Sequence, residues 1–185
     1  MTTPPTPSPK RMSPELFDEM LVVMAQTGDK GASERLFTRW NPRLLRAARR
    51  YCGEDEAARD LVQESWLGIW KGLASLRNAR RFRAFAFRVL HRRGADHLRK
   101  VIRERDHLDT SLEAPPEEAQ SPRQSDALAI AEAFAQLPPD QRLAAHLHFV
   151  EGLSLGEIAA VQDVPEGTAK SRLFHARRTL KAALT

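Results

Sequence analysis

The chain has 185 residues, with 29 Lys and Arg against 24 Asp and Glu and a formal charge of +5, a length that suits one ordinary domain or two small ones. Hydrophobic residues at 42% and charged residues at 29% exclude a fibre and a wholly disordered chain. No stretch nears the roughly 18 apolar residues of a membrane span, the start MTTPPTPSPKR lacks the apolar run of a signal peptide, and a single cysteine, Cys52, supplies neither an internal disulfide nor a cysteine metal site, so a reducing cytoplasmic or nuclear setting is expected.

Residues 1–12 hold four of the twelve prolines and read as a mobile tail. Ser13 followed by Pro14 gives an N-cap and a proline at the first helical position, predicting a helix over 14–26. A turn at Gly28–Gly31 separates it from a second helix that runs to Trp40. Pro42 then starts a third, to Tyr51. After a break at Cys52–Asp55, a fourth helix covers 56–73 and a fifth 81–103. Residues 106–125, with Pro115, Pro116 and Pro122, read as a flexible acidic linker. Further helices are expected at 126–136, 139–151, 155–161 and 166–184. No period-2 strand pattern occurs. The expected fold is all-α: two small helical domains, 13–105 and 126–185, joined by the linker, the second a helix-turn-helix.

Charge is segregated along this order. Between Leu76 and Arg105 stand eleven basic residues and two acids, Asp96 and Glu104. Between Asp106 and Asp126 stand six acids and one base, and between Pro165 and Thr185 five bases and one acid. A solvated helix face is the ordinary fate of a charge run. An imbalance of eleven to two is too lopsided for that and points to nucleic acid.

In the C-terminal part, a short helix carrying Ile158 and Ala159 inward, a turn at Gln162–Pro165 and a long basic helix have the layout of a helix-turn-helix. Ala169, Leu173, Ala176 and Leu180 form its buried stripe. Lys170, Ser171, Phe174, His175 and Arg178 form another face that suits a major groove. Thr168 sits at the helix start, where its hydroxyl and nearby N–H groups suit a phosphate. In the fourth helix, Val62, Trp66, Ile69 and Leu73 should be buried. Asp60, Glu64, Leu67 and Lys71, with Gln63 alongside, form a second stripe, either a protein-docking face or a plain solvated one. The fifth helix should bury Phe82, Phe85, Val89 and Leu90 and expose Arg83, Arg88, Arg92, Arg93, Arg99 and Lys100. The loop before it carries Arg77, Asn78, Arg80 and Arg81. Arginines around a polar loop suit single-stranded or melted nucleic acid.

The segments DLVQESWLGIW and RRFRAFAFRVLHRRGADHLRK resemble the second region of extracytoplasmic-function (ECF, group IV) sigma factors of the sigma-70 family. The segment LPPDQRLAAHLHFVEGLSLGEIAAVQDVPEGTAKSRLFHARRTL resembles their fourth region. The resemblance implies a bacterial, cytoplasmic RNA polymerase subunit that recognises promoters, helps to melt them, and is not itself an enzyme. Its implied partners are core polymerase (the β′ clamp helices and the β flap), promoter DNA and an anti-sigma factor. Asp60, Gln63, Glu64 and Leu67 match the clamp-helix surface, with Lys71 beside them. The loop Arg77–Arg81 and the helix through Lys100 match the region that engages the −10 element. Lys170, Ser171, Phe174 and His175 match the face that reads the −35 element, with Arg172 and Arg177 as phosphate contacts or structural partners. Three positions depart from the family pattern. Phe85 stands where tryptophan is usual, Ala169 replaces a β-branched residue, and His175 often corresponds to arginine.

Nothing in the sequence calls for a cofactor or a metal. His146 and His148 point to different sides of a helix, His91 and His97 are poorly spaced, and no phosphate loop, HExxH motif or catalytic triad occurs. Competing readings are a decoy that only binds an anti-sigma factor, a stand-alone helix-turn-helix regulator, and a nucleic-acid enzyme. The first should have lost its basic faces, the second leaves DLVQE unexplained, and the third lacks a carboxylate or metal constellation.

Overall fold

A computed structural model describes residues 12–52, 54–107 and 132–183. Helix α1 spans Pro14–Gln26, and Ser13 Oγ accepts from the Leu16 amide at 3.2 Å as its N-cap. Gly28, at φ 89°, makes the turn in a conformation that favours glycine. Helix α2 spans Lys30–Ala48, capped by Asp29. It is followed by α3 (Asp55–Leu73), a 3₁₀ turn (Ala79–Arg81) and α4 (Phe82–His107). A helical segment at 132–136 precedes α5 (Pro139–Ala145), which runs into a π-helical turn, His146–Val150. Then come α6 (Leu155–Gln162) and α7 (Glu166–Ala183). No strand occurs among the described residues. The expected tail at 1–12 and linker at 106–125 fall outside the described residues, except for Met12 and for Asp106 and His107, which continue α4.

Pro42 corrects one expectation. It lies inside α2 instead of opening a third helix. Proline removes one amide donor and leaves the carbonyl four residues earlier unpaired, here that of Thr38, an exposed residue. Trp40, Leu44 and Ala47 on either side of it are buried, so one continuous helix keeps a single apolar face in the core.

That core joins Leu36, Trp40 and Leu44 of α2 to Val62, Trp66, Ile69 and Leu73 of α3 and to Phe82, Phe87 and Leu90 of α4. Trp40 meets Phe82 edge-on at 5.1 Å and Phe87 at 6.0 Å. Phe85 and Val89 are only half-buried, another departure from the expected stripe. They lie over Gly72 and Gly68 of α3, where an added Cβ would come within 2.7 and 2.9 Å of them. In the C-terminal half, α6 packs between α4 and α7. The Asp163 backbone, left-handed at φ 55°, turns the chain from α6 into α7. Leu143, Leu147, Leu153, Ile158, Val161 and Ala169 belong to the same continuous cluster as the core of α2–α4.

At the far end of that core Tyr51 lies flat against Gly94, and its hydroxyl bonds His91 Nδ1 at 2.7 Å. Burial pushes the Tyr51 phenol well above its ordinary value and His91 below its own, so the pair is neutral. A Cβ at position 94 would sit 2.9 Å from two ring carbons of Tyr51. Gly94→Ala is therefore expected to destabilise the protein by about 1 kcal/mol, overpacking of roughly 1–3 kcal/mol outweighing a helix gain of about 1. Urea unfolding measures the difference; a gain in stability would show that Tyr51 swings aside freely.

Candidate nucleic-acid and protein interfaces

Because Val62, Trp66, Ile69 and Leu73 turn α3 into the core, Asp60, Gln63, Glu64, Leu67 and Lys71 share its exposed side. Leu67 is 59% exposed and has no apolar neighbour on its own stripe. Beside it lies an apolar hollow lined by Phe37, Leu45, Val62, Trp66 and Trp70. Trp66 stacks on Trp70 and meets Phe37, both at 5.0 Å, and its indole N–H donates to Asn41 Oδ1 at 3.1 Å. The rim from α2 did not figure in the sequence reading. Its signal was Phe37, Asn41 and Leu45 at i, i+4 and i+8. Exposed Leu16, Met20, Val23 and Met24 form a further apolar row on α1 that the sequence reading also left aside.

The 3₁₀ turn is fixed from two directions. Asn78 Oδ1 accepts from the Arg80 amide at 3.0 Å, and Gln26 donates to the carbonyls of Leu73 and Leu76, both at 2.8 Å. Held this way, the turn presents Arg77, Asn78, Arg80 and Arg81 to solvent, with Arg80 3.3 Å from Glu19. Arg92, Arg99 and Lys100 lie exposed farther along α4, where Arg99 pairs with Asp96. At 1.5 Å per residue these groups extend over roughly 30 Å, a track suited to a strand. Three arginines of the expected track are engaged elsewhere. Arg93 lies 3.3 Å from Glu64 of the α3 face. Arg83 donates to the Glu151 carbonyl at 3.2 Å and lies 3.3 Å from the Glu157 carboxylate, and Arg88 is 3.5 Å from Asp163.

On α7, Ala169, Leu173 and Ala176 are buried as expected. Thr168, Lys170, Ser171, Phe174, His175, Arg177 and Arg178 are exposed. Phe174, at 63% exposure, meets the His175 ring edge-on at 5.6 Å. Arg177 reaches back over Phe149 at 5.7 Å. Arg172 is half-buried, and its guanidinium lies 2.5 Å from the Asp140 carboxylate. The Thr168 amide donates to the Pro165 carbonyl at 2.9 Å, and the residue is exposed at the helix start.

Among the described residues, no group of three or more His, Cys, Asp or Glu could hold a metal ion, and no helix is long and apolar enough to cross a membrane. His146 is buried, while His148, on another side of the helix, bonds the Leu153 carbonyl at 3.1 Å.

Residues 36–104 match the family model for Sigma-70 region 2, and residues 127–180 that for Sigma-70 region 4. The ECF RNA polymerase sigma-E factor of Salmonella typhimurium is 30% identical over 182 residues, covering 91% of this chain and 95% of that protein. The RNA polymerase sigma-H factor of Pseudomonas aeruginosa is 29% identical, covering 90% and 93%. Among solved structures, the sigma factor RpoE of Bartonella quintana, in complex with the anti-sigma factor NepR, aligns with a TM-score of 0.64 at 27% identity, over 82% of this chain and 95% of that one. With both regions present in order and nearly the full length of a 30%-identical relative covered, the chain belongs to the ECF sigma factors of the sigma-70 family.

Proposed function

We propose that this sigma factor, a group IV member acting in the bacterial cytoplasm, binds core RNA polymerase through Asp60, Gln63, Glu64, Leu67 and Lys71. The turn at Arg77–Arg81 and the basic track of α4 engage the −10 element as a melted strand. The outer face of α7, from Thr168 to Arg178, reads the −35 element as duplex. The division into 13–105 and 126–185 assigns one promoter element to each half. The chain performs no bond chemistry; the polymerase supplies it. An anti-sigma factor controls access to the polymerase, by analogy with the complex of the Bartonella quintana relative.

The observation that carries this reading is one chain with three separate exposed faces: an acidic face with a bare leucine, a basic track along a helix, and a recognition helix with Phe174 and His175 outward. Run-off transcription with core polymerase over a genomic promoter library tests it. Transcripts should start only when the chain is added, downstream of a shared pair of motifs. Initiation independent of the chain, or from a single motif served by residues 126–185 alone, would favour a stand-alone regulator.

A further inference from the structure

Gln26 closes α1, one turn after the buried Val22 and on the same face. Its side chain reaches across to the turn that precedes α4. The amide nitrogen donates one hydrogen to the Leu73 carbonyl and one to the Leu76 carbonyl, each at 2.8 Å. Only the NH2 of that amide can serve two acceptors, which fixes its orientation. Leu73 is the last residue of α3, and Leu76 stands directly before Arg77. One side chain therefore ties the end of α3 to the start of the basic turn, 47 and 50 residues away.

This contact differs in kind from the other polar link between α1 and the turn. Glu19 meets Arg80 at 3.3 Å, but that arginine side chain is 78% exposed, and an exposed ion pair is weak and yields to a competing phosphate. Gln26 holds backbone, so it competes for none of Arg77, Asn78, Arg80 and Arg81, all of which stay exposed. It is half-buried, and α1 is itself anchored in the core through Leu21 and Val22. The remaining bonds of the turn are local: Leu76 N–H to the Leu73 carbonyl, Arg81 N–H to the Asn78 carbonyl, and the Asn78 side chain on the Arg80 amide. None of these bonds ties the turn to another helix. A loop that must be ordered on binding loses affinity to that ordering, and one held beforehand does not.

Resting on the promoter-recognition reading above, we propose that Gln26 is a positioning residue for the −10 element. By fixing the backbone at Leu73 and Leu76, it sets where Arg77, Asn78, Arg80 and Arg81 meet the melted strand. It touches no nucleotide itself. It also lies outside residues 36–104, the part that matches Sigma-70 region 2, so −10 discrimination is set in part from the helix that precedes that region.

The test compares Gln26→Met, Gln26→Glu and Gln26→Lys in the full chain, assembled with core polymerase. Methionine keeps the length without a donor, glutamate keeps the shape but only accepts, and lysine restores donors. A promoter recovered by run-off transcription is randomised separately at its −10 and −35 elements, and bound sequences are selected. Gln26→Met and Gln26→Glu should each lose roughly tenfold in preference for the wild-type −10 sequence over a scrambled one. Their −35 selection and core affinity should not change. Gln26→Lys should keep its −10 preference within about threefold of the wild type. Charge cannot produce this pattern, because methionine carries none. Amide hydrogen exchange on the free chain should be faster at residues 75–81 in Gln26→Met, with α2 and the buried part of α3 as protected as in the wild type. Unchanged −10 preference in Gln26→Met, equal losses at −10 and −35, a Gln26→Lys no better than Gln26→Met, or unchanged exchange in the turn would overturn the proposal and leave the promoter-recognition reading standing. A wild-type chain that yields no promoter, or selects no −10 sequence, removes that reading and the proposal with it.

Discussion

Leu67→Asp is expected to weaken binding to core polymerase by roughly 30- to 1,000-fold, about 2–4 kcal/mol, the range of a central interface residue. The leucine stands out from α3 beside the hollow of Phe37, Trp66 and Trp70, an aromatic-lined socket of the kind protein interfaces use. An aspartate there loses the apolar contact and has to be dehydrated against it. The free chain should hardly notice, because a 59%-exposed side chain contributes little to folding. Asp60→Ala with Glu64→Ala should have a smaller effect that fades with salt, since exposed charges act mainly on the association rate. Glu64 also holds Arg93 at 3.3 Å, so its loss frees an arginine of the DNA track. Titration of labelled chain with core polymerase, beside thermal melts, measures both terms. Wild-type affinity in Leu67→Asp would place polymerase docking on another surface.

What the sequence could reveal depended on the range of the interactions involved. The cap at Ser13 and the buried rows Val62–Leu73 and Ala169–Ala176 are local features, set within a turn or two of helix, and the structure has them where periodicity put them. Pro42 went the other way. Its local preference is to start a helix, yet the tertiary gain from burying Trp40 and Leu44 on one face prevails. Helix α4 defeated a one-stripe reading because it is covered on two sides. Phe87 and Leu90 enter the core, while Phe85 and Val89 rest on the bare backbone at Gly72 and Gly68. The face of α3 was legible, but its aromatic rim needed α2 beside it. Least legible were the ion pairs that α4 makes with the C-terminal half. Arg83 and Glu157 are 74 residues apart, and counting charges identifies a basic track without saying which of its members are already paired.

His175 is where the fine specificity of α7 should be decided. It is exposed beside Phe174 and one turn beyond Ser171, while Leu173 and Ala176 on the opposite side anchor the helix in its domain. Arg172, which an ideal helix would place near this face, is drawn away to Asp140. That leaves His175, Lys170 and Ser171 as the polar groups best placed for base edges. An imidazole has two nitrogens on one ring and cannot form the bidentate pair that a guanidinium makes with guanine O6 and N7. His175→Arg is therefore expected to move the preferred base at one −35 position toward guanine, by about 1–3 kcal/mol of discrimination. His175→Ala should flatten the preference at that position and leave the others unchanged. Lys170→Ala should lower the salt slope by about one, the loss of one phosphate-neutralising cation. Selection from a randomised −35 library, followed by binding of the recovered duplexes at several salt concentrations, measures all three effects. Identical motifs from wild type, His175→Arg and His175→Ala would mean that α7 enters the groove with another face, and that Phe174 and His175 lie against the backbone instead of the bases.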